Sequence, residues 1–374
     1  MKYKLSEIGK VAGGGTPSTK HPEYYTGSGI PWITPKDLSG YDKMYISKGG
    51  RDITQEGLEN SSAKLLPANS ILVSSRAPIG YVAIAENEIA TNQGFKSIIP
   101  NRELVIPEYL YFVMKTSKQD LEQIASGSTF KEVSTKVMSN FEVEIPSLDE
   151  QSKVLDYLLP ITRKIEKNSR INDNLLELAN VIFTNQISKD TTQLSNIATI
   201  QNGYAFKSKE YVSQKQLLVL RTKNIGSNHL FNKLDVVYID QHSFNEYKKF
   251  AFKKFDTVLV MVGASIGKTG FITSNVLPAL QNQNMWRFRA KNSSMPGLLL
   301  YEYINYINKR VKGSASGSAR SFYRKKLFSN FEVPIIDNNN IFSMFEKIQL
   351  QINNIQVENN ALSKLKQNLL NKYF

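Results

Sequence analysis

Ser139-Asn140-Phe141-Glu142-Val143 recurs unchanged as Ser329-Asn330-Phe331-Glu332-Val333, 190 residues further along the chain. Other matches fall in step around it. Leu5-Ser6, Ile8 and Gly14 return as Leu194-Ser195, Ile197 and Gly203 at an offset of 189. Lys36-Asp37-Leu38 answers to Lys223-Asn224-Ile225, and Ile79-Gly80 to Ile266-Gly267, at 187. Asn92-Gln93 and Gly127-Ser128 return at 190 as Asn282-Gln283 and Gly317-Ser318. An offset that drifts by so little means duplication with small loop insertions. The 374 residues are therefore two copies of one unit, which agrees with a length too great for a single ordinary core.

Each copy opens with about 150 residues of mixed character. Short β-rich runs at 70–74, 81–85, 258–262 and 331–336 are punctuated by Gly, Pro, Asn and Ser turns. One helix per copy is expected after Pro107, through PEYLYFVMKTSKQDLEQIA, and after Pro296. Each copy then closes in a long helix. The first begins at Ser147-Leu148-Asp149-Glu150, where serine and glutamate form a capping box.

Along that helix Val154, Leu158, Ile161, Ile165, Asn168, Asn172, Leu175, Ala179 and Ile182 follow alternating steps of four and three, a coiled-coil seam with two polar interruptions. The second reads Ile341, Phe345, Ile348, Ile352, Ile355, Asn359, Leu362, Lys366, Leu369, Tyr373. Helices of this kind, roughly 50 Å long, have no face of a compact domain to cover them and should pair with each other. Pro160 lies inside the first and should kink it. The expected fold is α+β: two mixed domains (1–147 and 189–337) and two antiparallel coiled-coil helices (148–188 and 338–374), with pseudo-two-fold symmetry.

Composition narrows the chemistry. With no cysteine there is no thiolate nucleophile, disulfide scaffold or Cys-based zinc site, and three scattered histidines make no local metal motif. No apolar leader or membrane-length run is present, so a cytoplasmic protein without a membrane partner is expected. The formal charge is +14, unevenly divided. Residues 1–190 carry 22 basic and 23 acidic side chains, residues 191–374 carry 25 and 10. A basic half joined to a neutral one points to a polyanion held asymmetrically.

Catalytic motifs do not survive inspection. Gly263-Ala264-Ser265-Ile266-Gly267-Lys268-Thr269 imitates a phosphate-binding loop but is one residue short, and the first copy has no lysine there. Asp240 with Glu246-Tyr247-Lys248 has the order of a nuclease site and no counterpart in the first copy. No methyltransferase loop is found. An ATPase using Lys268, a nuclease using Glu246, and a structural adaptor remain the competing classes.

What recurs instead is planar, polar and basic. Asn92-Gln93 and Gln281-Asn282-Gln283-Asn284 offer paired amides suited to adenine edges. Arg76, Arg221, Arg287, Arg289 and Arg320 suit guanine or phosphate, although Arg287 and Arg289 alternate in a strand and read equally as solvent-facing. The run from Ser318 to Lys326 mixes four cations with two aromatics.

These residues resemble a known family. Leu5-Ser6-Glu7-Ile8 with Gly14-Gly15-Thr16-Pro17-Ser18, Tyr24-Tyr25, Gly27 and Ile30-Pro31-Trp32 is similar to the start of a type I restriction–modification specificity subunit. Ser74-Ser75-Arg76-Ala77-Pro78-Ile79-Gly80, Thr91-Asn92-Gln93-Gly94-Phe95, Gly127-Ser128-Thr129-Phe130 with Val133-Ser134, and Ile145-Pro146 before Leu148-Asp149-Glu150-Gln151 resemble its further signatures. The second copy departs at Asn338-Asn339-Asn340 and lacks Gly-Thr-Pro after Gly203.

The resemblance implies a non-catalytic DNA-binding protein without a cofactor. Each domain would read half of a bipartite double-stranded site, and the helices would set the gap and dock modification methyltransferase subunits. Methylation, translocation and cleavage would fall to those subunits and to restriction/translocase partners. The residues expected on DNA are Lys36, Ser75, Arg76, Asn92, Gln93, Lys96, Thr129 and Lys131 in the first copy. In the second they are Lys223, Lys268, Gln281, Asn282, Gln283, Arg320, Ser321, Tyr323, Arg324 and Lys325.

The charge count yields a test of its own. Residues 191–337 carry 21 basic and 8 acidic side chains, against 16 and 17 in residues 1–149. Each phosphate neutralised adds about 0.9 to the slope of log affinity against log salt. Neutralising Arg320, Arg324 and Lys325 should flatten that slope, whereas neutralising Arg76 and Lys131 should alter sequence preference more than slope. Titrating both sets on one duplex across a salt series measures the difference, and equal slope changes would refute it.

Overall fold

The computed structural model describes residues 1–127, 131–233, 235–314 and 322–374. The chain divides into two compact units: 1–166 with 363–374, and 167–362. Each takes in part of both long helices.

The first unit is built on a five-stranded sheet in the order Gly9–Gly13, Lys96–Pro100, Ile71–Ser75, Ile79–Ala85, Tyr45–Ile46. The second unit repeats its first four positions as Ala198–Asn202, Met285–Ala290, Thr257–Val260, Thr269–Phe271. All but the Tyr45 pairing are antiparallel. A smaller sheet accompanies each, and in both a parallel pair forms one edge: Ile30–Ile33 with Ala90–Thr91, and Leu217–Leu220 with Ala279–Gln281. The repeated pentapeptide supplies one strand of a two-stranded ladder in each copy, Glu142–Glu144 on Lys2–Lys4 and Glu332–Pro334 on Thr191–Gln193. Its phenylalanine carbonyl accepts from the leucine amide that opens the copy, Leu5 or Leu194, at 3.0 Å in both. The pentapeptide thus ties the end of each domain to its beginning, a contact both copies must keep to close.

The helix after Pro107 differs from expectation. It runs Pro107–Thr116 and restarts as Lys118–Ile124. Thr116 and Ser117 both turn their hydroxyls back onto Val113 O, at 2.9 and 2.7 Å, which competes with the helical ladder. Its counterpart Gly297–Ser314 lacks such a pair and stays whole.

The long helices are Leu148–Asn185 and Asn339–Tyr373. The capping box forms as read: Ser147 N donates to Glu150 Oε2 at 3.1 Å and Glu150 N to Ser147 Oγ at 3.4 Å. The first helix stays helical through Pro160. The carbonyl that proline leaves without a donor is that of Asp156, an exposed residue where water can replace the lost bond.

Both seams are buried or half-buried along their length. In the first unit Val154, Leu155 and Leu158 share a core cluster with Leu370, with Leu369 and Tyr373 against it. In the second, Ala179 and Phe183 cluster with Ile341, Phe345, Ile348 and Ile352. Asn168 Nδ2 donates to Asn359 Oδ1 at 2.8 Å and to Glu358 Oε2 at 2.7 Å. Within the second unit the helices are therefore antiparallel: Asn168 meets the later part of the second helix, while Phe183 clusters with its first turns.

Asn172 is fully buried, and neither its Oδ1 nor its Nδ2 finds a partner among the described residues. An orphaned buried amide costs about 1–3 kcal/mol. Asn172→Leu should accordingly raise the denaturation midpoint. Asn168→Leu, which strips Asn359 of its donor, should lower it, and chemical denaturation of the two variants compares them directly.

Candidate nucleic-acid interface

Three segments converge at one end of the main sheet in each unit, and the same backbone hydrogen bonds join them. In the first, Ser75 N donates to Gly94 O at 2.7 Å and Val133 N to Ser75 O at 3.0 Å. In the second, Met261 N donates to Asn284 O and Tyr323 N to Met261 O, both at 3.0 Å. Asn92 N reaches Ile33 O at 2.9 Å as Asn282 N reaches Leu220 O at 3.1 Å. Gly15 N reaches Thr91 O at 2.9 Å as Tyr204 N reaches Gln281 O at 3.1 Å. The Asn-Gln turns are thus held on both sides by identical bonding. Glycine is required where the chain passes them, because a Cβ at Gly14 or Gly203 would overlap the carbonyl oxygen of Asn92 or Asn282.

This scaffold sorts the expected contact residues into two groups. In the first unit Ser75 is buried and its Oγ donates to Gly94 O at 3.1 Å, and Asn92 Oδ1 accepts from Gly94 N at 2.9 Å. Both side chains shape the turn. Gln93 is exposed, with its amide oxygen on the Thr16 hydroxyl. Glu132 draws in two cations, buried Lys96 at 3.1 Å and half-buried Arg76 at 3.6 Å. Lys36 and Lys131 are exposed.

In the second unit Gln281 is fully buried, its Nε2 on Met285 O at 2.8 Å and Gln201 O at 3.2 Å. Asn282 is nearly so, with its amide 3.4 Å from the Tyr211 hydroxyl. Tyr323 is buried and donates to Asn308 Oδ1 at 2.8 Å. Lys223 is exposed and paired with Asp235. Gln283, Arg324 and Lys325 are exposed. Thr129, Arg320 and Ser321 lie outside the described residues.

The loop that imitates a phosphate cradle does not serve as one. Lys268 Nζ donates to Ile225 O at 2.5 Å, and burial lowers its pKa. The lysine closes its own loop onto the neighbouring one. Asp240 Oδ1 caps a short turn by accepting from His242 N at 2.8 Å, and Glu246 is exposed.

Arg287 is buried and Arg289 half-buried, and both are committed to internal partners. Arg287 Nη1 donates to Ala251 O at 2.7 Å, and Arg289 binds both oxygens of buried Asp256, at 2.7 and 2.6 Å. Spacing by two put both on one strand face, as read, but their guanidinium groups are taken up by a backbone carbonyl and by Asp256 rather than left to solvent.

Sequence reasoning missed the supports. Thr16, Glu132, Tyr211, Asp235 and Asn308 reach these loops only through folding, and none stands in a motif that recurs between the copies. Asn308 is the clearest case: its Nδ2 donates to Gly267 O at 2.8 Å while its Oδ1 takes the Tyr323 hydroxyl, so one amide clamps two of the converging loops.

A tandem pair of loop-bearing α/β domains, each followed by a long helix, is shared with a known family of DNA specificity proteins. The chain belongs to the type I restriction modification DNA specificity domain family, whose model matches residues 1–177 and 188–367. It is 31% identical over 411 residues to the type I restriction enzyme MjaIX specificity subunit of Methanocaldococcus jannaschii, covering 99% of this chain and 91% of that one. The HindI specificity subunit of Haemophilus influenzae is 30% identical over 182 residues, 48% of this chain and 39% of that one. In fold it is similar to the crystal structure of a type I restriction–modification S subunit from M. genitalium, with TM-score 0.55 and 16% identity over 100% of this chain and 96% of that one. No helix among the described residues is long and apolar enough to cross a membrane.

Beside the Asn308 clamp lies a buried carboxyl. Glu302 is 1% exposed and accepts from Asn180 Nδ2 at 2.8 Å. Burial pushes its pKa up to about 7, against the opposing pull of Asn180 and Lys309. The folded state therefore binds a proton that the unfolded state has released between about pH 4.5 and 7. Stability falls as pH rises through that window, by about 3 kcal/mol from this group, and is flat above it. Glu302→Gln, which keeps an acceptor for Asn180, should remove that fall and melt higher at pH 8, as thermal denaturation across pH 4–8 would measure.

Proposed function

We propose that this chain is the DNA sequence-recognition subunit of a type I restriction–modification complex. One domain, residues 1–147, reads one half of a bipartite double-stranded site, and the other, residues 189–337, reads the second half. The helices at 148–188 and 338–374 set the gap between half-sites and dock modification methyltransferase subunits. The observation that carries this reading is the pair of Asn-Gln turns held by the same backbone bonds in both copies.

The exposed amides Gln93 and Gln283 are the side chains placed to read adenine edges bidentately. Exposed Lys36, Lys131, Lys223, Arg324 and Lys325 position the backbone of the duplex through phosphates. Arg76 and Lys96, half neutralised by Glu132, suit a contact that exchanges one anion for another. Ser75, Asn92, Gln281, Asn282 and Tyr323 shape the loops and act on DNA through them. Lys268 does the same by pinning its loop to Ile225.

The chain is not itself an enzyme. Methyl transfer, ATP-driven translocation and cleavage belong to partner subunits, with their cofactors, and the whole acts on DNA in the cytoplasm. Recognition is divided from chemistry, so one subunit can redirect both activities at once.

Methylome sequencing of a host that expresses the chain with its cognate methyltransferase should reveal a bipartite methylated motif that disappears when the chain is deleted. Replacing residues 1–147 by the same domain of another family member should change one half-site only. Inserting a few residues between Asn168 and Asn172 should lengthen the gap and leave both half-sites intact. New bases read after that insertion would refute the ruler.

A further inference from the structure

The surplus charge of the second copy is not all on its reading loops. A cavity of about 690 Å³ in the second unit is walled by Lys253, Lys254, Arg289 and Lys291, with Glu346 and Gln349 of the second long helix on another side. Its place in the sheet follows from register. Thr257 pairs with Phe288 and Val260 with Met285, so Asp256 and Arg289 mark one end of the two strands and Met261 and Asn284 the other. The cavity therefore opens about 17 Å along the strands from the loops proposed to read DNA.

Its cations differ in what they have left to offer. Arg289 is spent on Asp256. Lys291 Nζ donates to Ser195 O at 2.6 Å, a neutral acceptor that leaves the charge uncompensated. Lys254 Nζ lies 4.6 Å over the Phe255 ring. Lys253, Lys254 and Lys291 are exposed and form no ion pair with the described residues. The equivalent positions of the first copy, at offsets of 186 and 190, are Pro67, Ala68 and Asn101. No cation stands there, so this basic hollow belongs to the second copy alone.

We propose that the cavity is a docking site for an acidic protein segment of a partner subunit. This rests on the reading above that the long helices dock partners, since Glu346 and Gln349 lie on one of them and Gln349 Oε1 also holds Leu298 N, at 3.1 Å. Three unpaired lysines in a concave site match a flexible run of carboxylates, each of which can reach one ammonium group while avoiding Glu346. A DNA duplex is too stiff and convex to enter a hollow of this size, and Asp256 and Glu346 would meet its phosphates there. Acidic side chains on a loop face no such constraint.

The test uses the full chain with all three lysines reversed (Lys253→Glu, Lys254→Glu and Lys291→Glu), all exposed and outside the reading loops. Its affinity for the purified cognate methyltransferase subunit is measured by calorimetry at two salt concentrations, with and without a polyglutamate peptide as competitor. Its affinity for target DNA is measured separately. The expected result is subunit association weakened about tenfold or more, loss of polyglutamate competition, and unchanged DNA affinity and melting temperature. Weaker DNA binding with unchanged association would overturn the proposal in favour of phosphate. No change in either would also overturn it, leaving a solvated surface. Wild-type chain that fails to bind the methyltransferase at all would instead sink the functional reading on which the proposal stands.

Discussion

The structure of each candidate recognition face hangs on a few backbone hydrogen bonds, those that tie Ser75 to Gly94 and Val133, and Met261 to Asn284 and Tyr323. Backbone bonds of this kind carry no information about side chains. They hold three loops in register while leaving the outward residues free to change, which a scaffold for variable recognition must do. The two copies have diverged at most loop positions, yet retain these bonds. The glycines that pass under the Asn-Gln turns are part of the same constraint, since any side chain there would drive the turn outward.

The long helices solve a different problem with different means. Apolar side chains make the seam adhesive, but an apolar seam would pair equally well one turn out of step. Asn168 on Asn359 resists that slip, because shifting either helix would bury amides without partners. A helix pair with the proposed role of setting a gap needs one register more than it needs maximal stability. The buried, unpartnered amide of Asn172 costs stability in the same stretch. The carboxyl of Glu302, buried beside Asn180 of the first helix, carries a further electrostatic cost close to the loop clamp at Asn308.

Charge in the second copy divides by location. Arg287, Arg289 and Lys268 are consumed internally by carbonyls and by Asp256. Arg324 and Lys325 face outward beside the loops proposed to read DNA, and Lys253, Lys254 and Lys291 surround a hollow at the far end of the sheet. A net charge counted along the chain cannot distinguish these three populations, although each bears on function differently.

What the amino-acid sequence determined by itself was whatever repeats or has a period. The duplication, the capping box at Ser147 and Glu150, and both seams could be read directly, because a recurring offset and a spacing of 3.5 residues are properties of one dimension. The break after Thr116 escaped, since it depends on hydroxyls choosing between water and their own helix. At the Asn-Gln turns the sequence did not reveal which side chain faces out. Asn92 and Gln93 are neighbours with similar chemistry, and Gln93 is exposed because Asn92 is committed to Gly94. Arg289 looked like a strand residue open to solvent until Asp256, just before the neighbouring strand, engaged its guanidinium. Exposure is the outcome of what packs against a residue, and those neighbours come from distant parts of the chain that only the tertiary structure brings together.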